Sequence, residues 1–286
     1  MDTYRIAEDI ALISELLGIS RLDLAKEIGI EQNTLYRWER GDNIPSTKNL
    51  MTFYDYVFKK GIQLNEIKAQ LHKELLESKG STLLFHGSKN GINGSLSLES
   101  SRNENDFGKG FYCGESFTQA AMFVSGYESS SVYLYGMSLE GLRKREFHVD
   151  QDWMLAIAWY RGKIRDFIEH PRIAALLDSI RQVDYIVAPI ADNRMFEILN
   201  QFGDGEITDV QCQHCLSATN LGNQYVITSQ KALDRLELQE HCFLSRAEKQ
   251  YYLDSRKKDT AMGADKVKIA RRQFRGQGKY IDEVLA

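Results

Sequence analysis

Near the start of the chain, apolar residues recur at three- and four-residue spacing, at Ile6, Ile10, Ile13, Leu16 and Leu17. That is the spacing of one buried helix face. Ser20 then has the chemistry of an N-cap for a short helix over residues 22–27, and Gly29 can take the positive φ of a tight inter-helix turn. A second short helix is predicted over residues 32–38. Leu35 and Trp38 face its core, while Gln32, Asn33, Thr34, Tyr36 and Arg37 point outward. Further helical patterns run over residues 47–58 and 64–77.

The period changes at Ser78-Lys79-Gly80-Ser81, where Gly- and Ser-punctuated, β-rich segments begin. Thr82–Ser88 reads as a strand ending in a turn, and Phe111–Gly114 as a short strand after a glycine-rich loop. A helix capped by Ser116 follows, then strands over Val132–Leu139, Tyr185–Ala188 and Asn223–Thr228. Asp152–Arg161 and Arg172–Arg181 read as helices. The expected organisation is a helical domain over residues 1–77, a mixed domain over 80–244, and a C-terminal segment over 245–286.

Composition places this chain among globular proteins. It has 286 residues, 43% of them apolar and 27% charged, and no apolar run long enough to span a bilayer. Four cysteines are too few for a disulfide scaffold, and the first residues carry no signal-peptide pattern. A cytoplasmic location without membrane attachment is therefore expected. The net charge of −4 is uneven: −3 over residues 1–77, −6 in the middle and +5 over 245–286. The basic segment has the spacing of a helix. It reads either as a solvated face or as an electrostatic guide for nucleic acid or an acidic partner.

Gln, Asn and Arg can make paired hydrogen bonds to base edges in the major groove. The run Ser20–Gly29, followed by Thr34-Leu-Tyr-Arg-Trp-Glu-Arg-Gly41 and Pro45-Ser46, resembles the Cro/XRE repressor family. The resemblance implies a helix-turn-helix that binds DNA, commonly as a homodimer. Its candidate contacts are Gln32, Asn33, Thr34, Tyr36, Arg37 and Arg40.

In the second domain, His86-Gly87-Ser88, then Phe107-Gly-Lys-Gly-Phe-Tyr112, then Asn223-Gln224-Tyr-Val-Ile227 follow one another in that order. This series resembles the His–Tyr–Glu class of ADP-ribosyltransferases. More narrowly, Arg102…Asp106–Tyr112…Gln119-Ala120 and Asp184–Asp192 resemble domain-of-unknown-function family 3990. The fold expected is α+β: an all-α helix-turn-helix bundle, then an ADP-ribosyltransferase-like split β-sandwich with helices.

The resemblance implies NAD as substrate, with His86, Tyr112 and Gln224 in the catalytic positions. His86, Gly87, Ser88, Arg102, Phe111 and Tyr112 would contact NAD. Tyr112 would stack on the nicotinamide ring, with Tyr127 or Tyr133 as a second wall. The Gly87 backbone would pair with the carboxamide, and His86, helped by Ser88, would bond the adenosine ribose. The class carries Glu where this chain has Gln224. A Gln can orient the ribose 2′-hydroxyl but offers no full charge to an oxocarbenium-like state.

Three outcomes follow from that departure. The enzyme is a slow mono-ADP-ribosyltransferase, or it recruits another carboxylate such as Glu115 or Asp106, or it binds NAD without turnover. A Gln224→Glu change is expected to raise turnover if the missing charge is the bottleneck. Fusion of such a domain to a DNA reader suggests a toxin–antitoxin or phage-defence component that has a macromolecular acceptor and an antitoxin partner. Gln211-Cys212-Gln-His214-Cys215 with His241-Cys242 has the residue types of a partial zinc site. The adjacent second pair suits one ion poorly, so no metal is expected.

Overall fold

The structure is a computed structural model that describes residues 4–191, 193–218 and 221–286. Helices α1 (Ile6–Leu17), α2 (Arg21–Ile28), α3 (Gln32–Glu39), α4 (Thr47–Lys59) and α5 (Leu64–Glu77) come first. Then follow β1 (Ser81–Ser88), β2 (Phe111–Gly114), α6 (Phe117–Val124), β3 (Ser131–Ser138), β4 (Lys144–Glu146), α7 (Gln151–Tyr160) and α8 (Pro171–Arg181). The chain continues through β5 (Tyr185–Pro189), α9 (Asn193–Gly203), α10 (Asp209–Ser217), β6 (Asn223–Ile227) and α11 (Gln230–Leu233). It ends in β7 (Leu236–Phe243), α12 (Arg246–Gln273) and α13 (Ile281–Val284). The fold is α+β, as the sequence predicts, with helices leading and strands of mixed pairing after them. Contacts divide it into two units. One comprises residues 1–92, 116–137 and 237–255; the other comprises 93–115, 138–236 and 256–286.

The first unit contains the five-helix bundle. Ile10, Ile13, Leu24, Leu35, Trp38 and Phe53 are buried in its core. Leu16, expected on the inner face of α1, is instead half exposed, and the polar Asp9 and Ser14 take buried places on that helix. The reason lies in Asp9. Its carboxylate accepts from Tyr54 Oη at 2.5 Å and pairs with Lys68 Nζ at 3.0 Å, so α1 turns a polar position inward. Strands of this unit lie in the order β1-β3-β7, and α6 packs on them through Ala120, Ala121 and Val124. Phe243 at the end of β7 joins the bundle core, stacked on Tyr54 with ring centroids 5.3 Å apart.

The second unit has strands in the order β4-β5-β6-β2. β4 and β5 run parallel; β5–β6 and β6–β2 are antiparallel. Helix α7 is apolar on all sides, every residue from Trp153 to Ala158 being buried, so it forms the centre of this core. The C-terminal segment from residue 256 onward also belongs to this unit. Val267, Ala270, Ile281 and Leu285 are buried in it, and Phe274 stacks on His214 at 3.5 Å.

Candidate functional site

The candidate DNA-facing surface lies at the turn between α2 and α3. The Ser20 hydroxyl accepts from Asp23 N at 3.1 Å, and Gly29 closes α2 with φ 77°. Arg21 pairs with Glu39 at 2.8 Å and ties α2 to α3. Leu35 and Trp38 are buried. Gln32, Asn33, Tyr36, Arg37 and Arg40 are exposed along α3 and its end, with Thr34 half-buried. Arg40 is paired with Asp42 at 2.6 Å. Arg37 makes no ion pair among the described residues, so its guanidinium is the one on α3 ready for a base edge or a phosphate.

His86, Gly87 and Ser88 end β1 in the first unit. His86 is half-buried after the buried run Leu83–Phe85. Gly87 is required for a reason the sequence did not reveal. A Cβ there would lie 2.7 Å from the Ala120 carbonyl oxygen and 2.8 Å from Val124, so the missing side chain lets α6 lie close on β1. The Ser88 hydroxyl donates to the Gly91 carbonyl at 2.8 Å, which fixes the turn after the strand. Tyr133 is buried, stacked on His241 at 4.3 Å, and its hydroxyl accepts from Ile92 N at 2.9 Å. Exposed Tyr127 carries the Lys89 ammonium 4.6 Å above its ring. Of the two expected walls, Tyr127 is exposed and Tyr133 is buried.

Tyr112 and Gln224 come together within the second unit. Antiparallel register sets Tyr112 opposite Val226 and Gly114 opposite Gln224, so both side chains stand on the same face of the β2–β6 pair. On its other side Gln224 faces Ala188 of β5. Its direct neighbours are therefore a glycine and an alanine, and Gln224 is itself buried. The Tyr112 hydroxyl donates to the Gly108 carbonyl at 2.7 Å and accepts from Phe107 N at 3.2 Å. Burial pushes that phenol well above its ordinary range, and it stays protonated. Buried Phe111 points to the opposite face, and Arg102 is exposed on the preceding loop. The glycine-rich loop serves the sheet as well, since a Cβ on Gly110 would lie 2.7 Å from the Ile227 carbonyl oxygen.

Two further residues complete this cluster. Asp106 accepts from Gln224 Nε2 at 2.9 Å and from Arg161 Nη2 at 2.7 Å. The same Nε2 donates to the Pro189 carbonyl at 3.2 Å. Asp106 is buried, and burial raises its carboxyl pKa against the opposing pull of Gln224 and Arg161. Arg161, just past the end of α7, places its guanidinium carbon over the Phe196 ring of α9, 3.8 Å from the centroid. Arg161 has no signal in the sequence, because only tertiary packing brings residue 161 to residue 106. Glu115 is engaged elsewhere: its carboxylate accepts from Asn223 N at 3.0 Å and from Asn223 Nδ2 at 3.1 Å.

Cys212 and Cys215 are buried in α10, with their thiols directed at the carbonyls of Ile198 and Val267. Among the described residues, no group of three potential ligands converges on a metal position. No described helix is long and apolar enough to cross a membrane. Asp192, which ends the second family-like segment, lies outside the described residues.

A helix-turn-helix DNA-binding protein with a second, mixed α/β domain is the class defined by these features, and residues 11–52 match the family described as Helix-turn-helix. Residues 82–238, more than half of the chain, match the family described as Protein of unknown function (DUF3990). The chain belongs to that DUF3990 family. No curated protein and no solved structure matches it.

Proposed function

We propose that the chain is a DNA-binding mono-ADP-ribosyltransferase that takes NAD as its substrate, with the helix-turn-helix domain regulating its own operon or localising the enzyme. The observation that carries this reading is the shared face of Tyr112 and Gln224, an aromatic ring beside an amide with small neighbours on both sides. A nicotinamide ring would stack on Tyr112, and the adjoining ribose would offer a hydroxyl to Gln224. In the reaction the C1′–N1 bond breaks and nicotinamide leaves with the electron pair. The acceptor then bonds to C1′ and loses a proton. The acceptor is a protein or nucleic acid, and a toxin–antitoxin or phage-defence role with an antitoxin partner fits the fusion.

A second reading has one specific observation in its favour. The carboxylates near the site are already engaged, Asp106 by Arg161 and Gln224, and Glu115 by Asn223. A domain so arranged would bind NAD or ADP-ribose and report it to the DNA-binding domain without turnover. Loss of one transition-state contact costs about 100–1000-fold in rate. Purified protein incubated with labelled NAD separates the readings. Nicotinamide release and labelled macromolecules, lost in Tyr112→Ala, support the transferase. Saturable NAD binding without release supports the sensor.

A further inference from the structure

We infer that Asp106 is a positioning residue that makes Gln224 a pure hydrogen-bond acceptor, holding the site's negative charge one side chain behind the ligand-facing position. The ligand half of this inference rests on the NAD reading above; the positioning half does not.

A glutamine amide has two N–H donors and one oxygen. Both donors of Gln224 are directed at groups that can only accept, the Asp106 carboxylate at 2.9 Å and the Pro189 carbonyl at 3.2 Å. Turning the amide over would set Oε1 against those two oxygens, so its orientation is fixed by chemistry rather than chosen. Oε1 takes no hydrogen bond from a described residue, and it is what Gln224 has left to offer. Gly114 and Ala188 beside it supply no competing polar side chain. A hydroxyl donor, such as that of a ribose, fits this oxygen; a carbonyl or phosphate oxygen does not.

Asp106 is itself held. Arg161 donates to its other oxygen at 2.7 Å and is clamped against Phe196. Arg161, Asp106 and Gln224 thus form a chain of charge, countercharge and amide that ends in an oriented oxygen. Each link polarises the next.

This geometry reverses the expectation for Gln224→Glu. A carboxylate at position 224 would lie against Asp106 and the Pro189 carbonyl, where two acidic groups must share a proton. The substitution therefore adds repulsion rather than a usable charge. Asp106→Asn also conflicts, because one asparagine cannot accept from both Arg161 and Gln224 through a single oxygen without turning its NH2 on one of them. Combining Asp106→Asn with Gln224→Glu lets the amide now at position 106 accept from Arg161 and donate to the carboxylate now at position 224. Only the clash with Pro189 remains.

The test has two arms on the full-length protein. In the first, selective 15N-glutamine labelling reads the Gln224 side-chain NH2, assigned by its disappearance in Gln224→Glu. The expected result is slowed exchange of both protons, lost in Asp106→Ala. Exchange like that of exposed glutamines, or no response to Asp106→Ala, overturns the positioning role. In the second, calorimetric NAD titration of the folded variants is expected to show about tenfold weaker binding for Gln224→Glu, with part recovered by the double variant. A double variant no better than Gln224→Glu overturns the inference. Absence of NAD binding by the wild type removes the NAD reading and the ligand half with it, and leaves the positioning role to be decided by the NMR arm alone.

Discussion

Each unit buries a carboxylate beside a cation, yet the two clusters differ in what they leave over. In the first unit, Lys68 sits between Asp9 at 3.0 Å and Glu240 at 3.2 Å, while Tyr54 bonds Asp9 and His72 lies 3.3 Å from Glu240. Burial works against the charge on Lys68, but the two carboxylates outweigh it and hold its pKa above the ordinary lysine range. Every charge there has a protein partner. In the second unit, Asp106 spends its bonds on Arg161 and on an amide whose oxygen remains unbonded by any described residue. A closed network joins elements together, whereas the second ends in an oriented oxygen that the proposed ligand would use. The first holds α1, α5 and β7 in one unit; the second is the candidate site.

If that contrast is right, breaking the closed network has the larger cost. Lys68→Met would strand two buried carboxylates and should lower the unfolding free energy by about 3–5 kcal/mol in urea titrations. Arg161→Met, whose partner Asp106 keeps the Gln224 amide and whose own side chain is a third exposed, should cost clearly less. Equal costs would erase the distinction.

The next effect is on pH dependence. Glu248, buried beside Asn65 in the first unit, is pushed up to about 7 by desolvation. Its folded pKa lies above its unfolded value, so the folded state holds the extra proton between about 4.5 and 7. Stability contributed by this group is present at low pH and lost as pH rises through that window, by about 3 kcal/mol in all. Glu248→Gln should flatten the wild-type slope of unfolding free energy between pH 4.5 and 7.5. An unchanged slope would mean that Glu248 titrates normally.

Gly87→Ala comes third. Its Cβ would press on the Ala120 carbonyl, and a loss of about 1–3 kcal/mol in stability is expected from overpacking between β1 and α6. A fully stable Gly87→Ala would contradict the close approach of α6. The smallest effect on the fold, with its consequence confined to DNA, is that of Arg37→Ala. Operator affinity should weaken by about 1–3 kcal/mol in fluorescence anisotropy, with the melting temperature unchanged. Unaltered affinity would place the reading surface away from α3.

Local pattern made the helix-turn-helix legible, because Leu35 and Trp38 at three-residue spacing, the Ser20 cap and Gly29 each act within a few residues of themselves. The strands carrying His86, Tyr112 and Gln224 were likewise readable as short apolar runs bounded by turns. What the sequence withheld depends on pairing. The β2–β6 register decides that Tyr112 and Gln224 share a face, and a shift of one residue would separate them. Asp106 and Arg161 meet across 55 positions of chain, which no spacing rule anticipates. The sequence reads Gly87 as a ligand-approach glycine, and its immediate neighbour is α6. Leu16 looked like core and is half exposed, because α1 gives its inner face to a charged residue with a distant partner.

The central claim is that the face shared by Tyr112 and Gln224 handles NAD. Its most direct measurement is the rate of nicotinamide release from labelled NAD by the intact protein, run beside Tyr112→Ala and His86→Ala. The proposed transferase predicts slow release by the wild type, about 100–1000-fold below an enzyme with a carboxylate in place, and none by either variant. Release that persists in both variants, or a wild type that neither releases nicotinamide nor binds NAD, would contradict it.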